Sequence, residues 1–464
     1  MKQIKASDVL MGKENSGKMP LSEKITYGFG NLAANLMFTT AGAFITFFYT
    51  DVVGIGIVAA SNILLWARVF DGISDLAMGS VVDKYATPNG KARPWILKMA
   101  VPYALALILL FSSPDFLSGT GKVIWAFATY VLAMAGIYTA TMVPYNSLLG
   151  PSTSNSVERG TMSTMRTVFG YGGAILVNVI VWPIITVLGG DKKAWTLMAA
   201  MFGFCATVLL LVLYRNSKER VLEVPEIDNA QKNGTKISIG TQVKNLVKNK
   251  YWLILIGYLF MTFIDAGLGG INVYYCTWIL GDGNKVGLIA SAYLIPIMLG
   301  ALAVPILMKR LSNRNLCLLG SITYVIGCLV VVVFPEKLTM ILAGVAIRGF
   351  GKAPGAVAGY AMLGDVVDYG QWKTKLRNEG MVYSAATFGE KVGSGIGGLI
   401  MGVILALGGY TSTAAAQSAE ALVSIKAVFI YVPIVFAILS FLLMLFYDLD
   451  KKLPSIRKEL GLQL

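Results

Sequence analysis

Long apolar runs alternate with short polar stretches along the whole chain. Twelve of these runs approach the roughly 20 residues that cross a bilayer as a helix, and they lie at about 25–50, 57–80, 95–113, 123–149, 163–188, 194–214, 251–280, 286–308, 316–335, 338–364, 380–408 and 423–447. Most contain Gly or Pro, which membrane helices tolerate better than soluble ones do. The pattern predicts an all-α polytopic membrane protein with twelve transmembrane helices.

The longest polar stretch, at 215–250, divides the twelve predicted spans into six and six. Two six-helix halves are the arrangement of the major facilitator fold, whose substrate site lies near the midplane between the halves. The sequence therefore predicts five parts: an N-terminal tail at 1–24, a first half at 25–214, a middle loop at 215–250, a second half at 251–447 and a C-terminal tail at 448–464.

The charges support this interpretation and orient the chain. Only 14% of residues are charged, 56% are hydrophobic, and the net charge is +14. Most bases lie in the tails and in the loops on the same side, whereas the opposite loops contain Lys122, Lys192, Lys193, Lys285, Lys337 and Lys426. By the positive-inside rule, both termini are expected in the cytoplasm, with the protein in the plasma (inner) membrane. A basic nucleic-acid-binding face is the alternative, but these bases are spread over short loops between spans.

Histidine and cysteine are informative by their scarcity. The chain has no histidine, and its four cysteines all fall inside apolar segments without CxxC spacing. A Ser-His-Asp triad and a histidine-ligated metal site are thereby excluded. We find no P-loop motif either. The sequence thus predicts neither an enzyme nor an ATP-driven pump.

Two carboxylates stand out in the second span, in the stretch RVFDGISDLAMG. Asp71 and Asp75 are four residues apart, so they share one helical face. Two acids this close in a low-dielectric setting would hold a shared proton or a bound cation such as Na⁺, with Ser74 and Thr139 as neutral ligands. No other cofactor is expected. The alternative is a structural ion pair between Asp71 and Arg68, one turn earlier.

Further charges lie inside other spans, where a functional role is the default. Arg166 lies near the start of span five and is either an interfacial anchor or a cavity residue. Lys391 lies deep in span eleven; Glu390 precedes it but points about 100° away. Asp265 in span seven either lines the cavity or pairs with Lys391.

Four stretches resemble the glycoside–pentoside–hexuronide:cation symporters, the family that includes the melibiose permease. They are YGFGNLAANLMFTTAGAFITFFYTDVVGI, RVFDGISDLAMGSVVDKYATPNGKARPWIL, YTATMVPYNSLLGPSTSNSVERG and GDVVDYGQWKTKLRNEGMVYSAATFGEK, in colinear order. The resemblance implies the major facilitator fold and uptake of a sugar driven by Na⁺, H⁺ or Li⁺.

The resemblance also assigns roles to single residues. The family's cation site corresponds to Asp71, Ser74, Asp75 and Thr139. Its basic residues near the sugar correspond to Arg166 and Lys391, and further pocket positions to Tyr138 and Thr387. Two acidic sugar-binding positions of the melibiose permease are Asn35 and Met142 here, and its pocket tryptophans are replaced by Asn146 and Ala356.

These departures bear on the substrate. The loss of two acids, with Arg166 and Lys391 retained, makes the cavity more positive, so we favour an anionic glycoside such as a glucuronide over a pentoside or neutral glycoside. If Lys391 is paired with Asp71, Asp75 or Asp265, the cavity is instead near neutral. A multidrug or organic-ion antiporter on the same fold is the other hypothesis.

Two cytoplasmic segments, 82–94 and 364–380, mix acids and bases. We expect their charges to form ion pairs, across or within the halves, that hold the inner side shut. They include Asp83, Arg93, Asp365, Asp368 and Arg377. Ordinary solvated loops are the alternative. The expected partners are a sugar or glycoside, a monovalent cation and the lipid bilayer, with the protein as a monomer.

Overall fold

The computed structural model describes residues 19–84, 90–153, 155–220, 246–374, 376, 379–412 and 414–461. Thirteen helices in this part of the chain organise the fold, and their bounds are Leu21–Val52 (α1), Ile57–Lys84 (α2), Arg93–Leu110 (α3), Thr120–Ser152 (α4), Ser156–Val187 (α5), Lys192–Asn216 (α6), Lys250–Ile279 (α7), Lys285–Leu307 (α8), Asn313–Val333 (α9), Leu338–Thr374 (α10), Glu379–Leu407 (α11), Ala419–Leu445 (α12) and Leu449–Glu459 (α13). Eleven are long and apolar enough to cross a membrane. With the 37-residue α10, they make up the twelve predicted spans.

Polar side chains in the loops mark where several helices begin. Asp191 accepts a hydrogen bond from the backbone N–H of Ala194 and caps α6. Asn249 caps α7 in the same way, and Ser312 and Ser418 cap α9 and α12. Each cap satisfies one of the backbone donors that a helix leaves free in its first turn. Short loops with such caps let the apolar spans follow one another closely.

The helices form two packed groups that meet along two seams. α1 packs against α5 and α6 in the first half, and α10 packs against α8 and α9 in the second. Between the halves, α2 runs along α11 and α5 runs along α8. Large apolar side chains are exposed on the outside of the bundle, among them Trp66, Leu302 and Phe446. This apolar outer surface suits a lipid environment, and the grouping of the helices agrees with the predicted division into two halves.

Glycines allow the close approach of helices along both seams. A Cβ atom added to Gly395 in α11 would lie 3.2 Å from the Cα atom of Leu65 in α2. A Cβ atom on Gly287 in α8 would lie 2.7 Å from the Cα atom of Val179 in α5, which is too close for any larger residue. Small residues at such crossings are typical of helix packing in membranes.

The two halves are joined on the side of the membrane where α1 ends, called here the opposite side. Tyr410, between α11 and α12, donates a 2.6 Å hydrogen bond to Asp51 at the end of α1. The hydroxyls of Thr50 and Tyr274 lie 2.8 Å apart and link α1 to α7. The ring of Phe47 packs edge-on against that of Tyr274. These contacts close the opposite side.

The other side, where α1 begins and α12 ends, is called here the terminus side. Among the described residues, the hydrogen bonds and ion pairs between the halves lie at the opposite side or at mid-membrane. A cavity of about 210 Å³ lies between α2 and α11 toward the terminus side, lined by Gly72, Asp75, Tyr383, Ser384, Thr387, Phe388 and Lys391. We call it the central cavity.

Candidate functional site

The central feature of the site is a lysine shared by two carboxylates from the other half. The Lys391 Nζ atom in α11 lies 2.9 Å from Asp71 Oδ1 and 2.5 Å from Asp75 Oδ2 in α2. It also donates a 3.1 Å hydrogen bond to the backbone carbonyl of Asp71. The predicted sharing of a face by Asp71 and Asp75 makes this possible, because one ammonium reaches both acids. The ion pairs therefore tie the two halves together at mid-membrane.

A hydroxyl group from α4 contacts both carboxylates. Thr139 Oγ1 lies 3.1 Å from Asp71 Oδ1 and 2.8 Å from Asp75 Oδ1. Ser74 Oγ lies 3.4 Å from the same hydroxyl. The backbone of α4 widens into a π-helix at Val131–Tyr138, immediately before Thr139. Such local widening is frequent at functional sites, and here it precedes the residue that contacts both carboxylates.

Arg68 belongs to the same charge cluster. Its guanidinium lies 3.5 Å from Asp71 Oδ2 and 4.9 Å from the ring centroid of Phe38. Arg68 is 8% exposed and Asp71 is 2% exposed, so this base is buried and does not reach the membrane surface. The ion pair that was the alternative interpretation of Asp71 is thus present beside the Lys391 contact. The formal charges of Arg68 and Lys391 balance those of Asp71 and Asp75.

This donor set suits a small monovalent cation or a proton better than a multivalent metal. Within the described part of the chain, no group of three or more His, Cys, Asp or Glu side chains could hold a metal ion. Asp71, Asp75, Thr139 and Ser74 instead offer oxygen atoms around one point, which the Lys391 ammonium approaches from α11. Oxygen ligands are those that hard cations prefer.

The predicted sugar-site residues differ in their burial and in their contacts. Thr387 lines the central cavity beside Lys391. Asn35 is half-buried and donates to the carbonyl of Asn31, while its own side-chain oxygen accepts from Thr39. The remaining four predicted residues lie in the first half: Tyr138 stacked on Phe38, Met142 buried in the apolar core, Asn146 exposed and Arg166 over the ring of Tyr145.

One predicted pairing is wrong. Asp265 does not pair with Lys391, because Lys352 of α10 lies 2.5 Å from its Oδ2 atom. Tyr324 of α9 donates to the same carboxylate at 2.9 Å, and Arg348 donates to the Tyr324 hydroxyl. Asp265 is therefore neutralised inside the second half, whereas Lys391 points to the first half.

Two of the predicted gating residues, Asp365 and Asp368, form ion pairs. Arg457 of α13 binds Asp365 at 3.0 Å and Asp368 at 2.9 Å, both in α10. The Arg93 side chain donates to the backbone carbonyl of Tyr214 at 3.0 Å. The side chain of Asp83 and the whole of Arg377 lie outside the described residues. The base that binds both acids thus lies in α13, outside the two predicted segments, and ion pairs among the charges of those segments remain a prediction.

Sequence reasoning missed several residues that border the site. Tyr383 and Ser384 line the central cavity, and Tyr360 of α10 donates a 2.8 Å hydrogen bond to Glu390. The spacing of Tyr383, Thr387 and Lys391, four residues each, was the available signal, since residues four apart lie on neighbouring positions of one helical face.

Comparison with known proteins identifies the family. Residues 26–451 match the family described as MFS/sugar transport protein. The chain belongs to this family. It is 34% identical over 451 residues to the isoprimeverose transporter of Lactiplantibacillus pentosus, a match that covers 95% of this chain and 91% of the relative. The predicted resemblance is confirmed, and the family consists of transporters rather than enzymes.

Two further matches extend the comparison. Inner membrane symporter YicJ of Escherichia coli (strain K12) is 30% identical, with 91% of this chain and 90% of the relative covered. The crystal structure of D-xylose-proton symporter aligns with a TM-score of 0.64 at 13% identity, covering 92% of this chain and 97% of that one. The structural likeness supports the fold, and both sequence relatives match nearly along their full length.

Proposed function

We propose that this protein imports a sugar or glycoside together with Na⁺ or H⁺ by alternating access. The observation that carries the proposal is the Lys391 ammonium between Asp71 and Asp75. A cation or proton bound to these carboxylates competes with the ammonium, because both need the same oxygen atoms. Cation binding thereby weakens the link between α2 and α11. This gives the driving ion control over how the halves move.

The ion's route follows from exposure. The Asp75 side chain is 29% exposed and lines the central cavity, whereas that of Asp71 is 2% exposed. An ion from the cavity therefore meets Asp75 first. The names of the relatives, a symporter and an isoprimeverose transporter, accord with coupled uptake of a glycoside. Apart from the co-transported ion, the proposal requires no cofactor and no second subunit.

For the substrate, we favour a neutral glycoside. Lys391 and Arg68 are compensated by Asp71 and Asp75, so the excess positive charge expected from the sequence is reduced. An anionic glycoside remains the alternative substrate because of Arg166. Its guanidinium lies over the ring of Tyr145, and no carboxylate of the described residues forms an ion pair with it. A glucuronide could be gripped there in bidentate fashion.

The proposed orientation places the terminus side in the cytoplasm of a bacterial inner membrane. Its support is the positive-inside rule applied to the basic tails and loops. With the opposite side closed by Asp51 and Tyr410, the structure then corresponds to a state whose cavity faces inward. In this state, substrate leaves toward the cytoplasm.

The test is transport by the purified protein in proteoliposomes. Counterflow of xylosides, galactosides and glucuronides, with and without Na⁺ and at several pH values, identifies the substrate class and the ion. The same panel is run on Arg166→Gln, with Arg159→Gln, a base one to two turns earlier in α5, as the matched control. We expect neutral glycosides to compete best. Glucuronides that compete best, and lose that advantage in Arg166→Gln, would establish the anionic alternative; exchange of hydrophobic cations alone would favour an antiporter.

A further inference from the structure

Glu390 is a carboxylate inside the membrane bundle that the coupling cluster does not use. Asp71, Asp75 and Asp265 each have an ammonium at 2.5–2.9 Å. Among the described residues, Glu390 forms no ion pair, and its hydrogen bond is the one that the Tyr360 hydroxyl donates to Oε2 at 2.8 Å. An ionisable group that lies inside a membrane segment and forms no direct ion pair is a functional candidate.

The position of Glu390 on α11 turns its side chain to a different neighbour from that of Lys391, although its charge still interacts with those of Arg68, Lys391 and Asp75. Its neighbour Lys391 turns toward α2, and successive helical residues point about 100° apart. Glu390 contacts α10 through Tyr360, so it belongs to the second half's own wall. Tyr383 and Thr387 precede it by seven and three residues, which places all three side chains on one stripe of the helix. Both preceding residues line the central cavity. Glu390 follows them on the same stripe, just beyond the residues that line the cavity.

Several other acceptors in the bundle are already engaged. Asn35 accepts from Thr39 and donates to Asn31 through its side-chain amide. Asp71 and Asp75 are compensated by Lys391. Glu390 retains one carboxylate oxygen, Oε1, without a described partner, and it is half-buried rather than fully enclosed.

We infer that Glu390 is the hydroxyl-binding carboxylate that the second half contributes to the sugar site, with Tyr360 as its positioning residue. A carboxylate accepts strong, charge-assisted hydrogen bonds, and its two oxygens match two adjacent hydroxyls of a sugar ring. The inference rests on the proposed glycoside transport and makes it more specific. A polyol ring fits this group, whereas an anionic substituent beside it would be repelled. Glu390 therefore fixes which edge of a neutral glycoside faces α11.

The test measures discrimination between a transported glycoside and its monodeoxy analogues, by counterflow competition in proteoliposomes. The variants are Glu390→Gln and Tyr360→Phe, with Glu420→Gln, an exposed acid at the start of α12, as the matched control. In the wild type, we expect removal of one or two adjacent hydroxyls to weaken competition by about tenfold or more, the effect of losing a hydrogen bond to a charged group. Glu390→Gln removes most of that discrimination at those positions only, and Tyr360→Phe reduces it partly.

A structural role for Glu390 would lower the amount of active protein without changing which hydroxyl matters. Unchanged discrimination in Glu390→Gln therefore overturns the inference, even if the transport rate falls. Loss of ion-driven accumulation with discrimination intact also overturns it, since Glu390 would then be a coupling acid. Absence of any glycoside counterflow in the wild type overturns the proposed function as well, which separates the two failures.

Discussion

The hydroxyl of Tyr410 donates a 2.6 Å hydrogen bond to the carboxylate of Asp51 across the boundary between the two halves. Asp51 also accepts from the neighbouring Thr50 hydroxyl at 2.6 Å, and Tyr410 accepts from the indole N–H of Trp278 at 3.1 Å. No base of the described residues forms an ion pair with Asp51. Asp51 thus contributes to the closure of the opposite side through hydrogen bonds rather than through an ion pair.

The first prediction concerns this closure. Tyr410→Phe removes the donor but keeps the ring, so we expect the opposite side to open more often, by about tenfold or more for the loss of one hydrogen bond to a charged group. The measurement is the labelling rate of a cysteine at Thr46, a buried residue on this side, by a membrane-impermeant maleimide in a cysteine-free background. Tyr431→Phe, an exposed tyrosine in α12, is the control. An equal labelling rate in Tyr410→Phe would show that the hydrogen bond does not hold the gate.

The second prediction concerns coupling. Asp75→Asn should abolish ion-driven accumulation, because a neutral amide cannot hold a cation or proton with comparable strength. Exchange of substrate without an ion gradient should persist. Asp71→Asn should alter ion preference and also lower stability, because it leaves the buried Arg68 without its described carboxylate. Accumulation and counterflow in the same vesicles separate these effects, with Asp115→Asn, an acid in an exposed loop, as control. Accumulation by Asp75→Asn at the wild-type level would place the coupling site elsewhere.

The third prediction tests competition between the ion and the ammonium. Lys391→Gln leaves Asp71 and Asp75 with only Arg68 nearby, so the site carries an excess negative charge. We expect the driving ion to bind at lower concentration, by several-fold, while ion-driven sugar accumulation is lost. The Na⁺ or H⁺ concentration at half-saturation is measured from the increase in thermal unfolding temperature that ion binding causes. A weaker ion affinity in Lys391→Gln would contradict the competition model.

The fourth prediction concerns the buried pair of Asp265 and Lys352. Their side chains are 6% and 17% exposed, so removal of one partner leaves a charge in the bundle. We expect Lys352→Met to destabilise the protein by about 3–5 kcal/mol. The double variant Asp265→Asn with Lys352→Met should recover much of that loss in a thermal unfolding assay in detergent. Lys192→Gln, which breaks an exposed pair with Asp115, should cost about 0–1 kcal/mol. Equal losses in the single and double variants would argue against a coupled pair.

The fifth prediction concerns the terminus side. Arg457 bridges Asp365 and Asp368 and thereby fixes α13 to the end of α10. Arg457→Gln or Asp365→Asn should slow transport while substrate binding persists, because these contacts bias the balance between conformations. Counterflow rate and equilibrium binding are measured on the same preparations, with Lys458→Gln, an exposed base beside Arg457, as control. Wild-type rates in both variants would leave α13 without a role in gating.

Part of this architecture follows from local rules, so the sequence alone determined it. Apolar runs of about 20 residues predict spans because a helix satisfies its own backbone hydrogen bonds in lipid. The four-residue spacing of Asp71 and Asp75 predicts a shared face because the helix repeats every 3.6 residues. Family motifs add Thr139, which the structure places beside both acids.

The choice of partners, by contrast, was decided only by the tertiary structure. From the sequence, Lys391 could pair with Asp71, Asp75 or Asp265, since all four lie in predicted spans. Because α11 packs along α2, Lys391 lies next to Asp71 and Asp75. Because α7 packs against α10, Asp265 forms its ion pair with Lys352 instead. The direction of Glu390 toward Tyr360 was likewise hidden, because helical periodicity relates residues on one helix but does not say which neighbour each face meets.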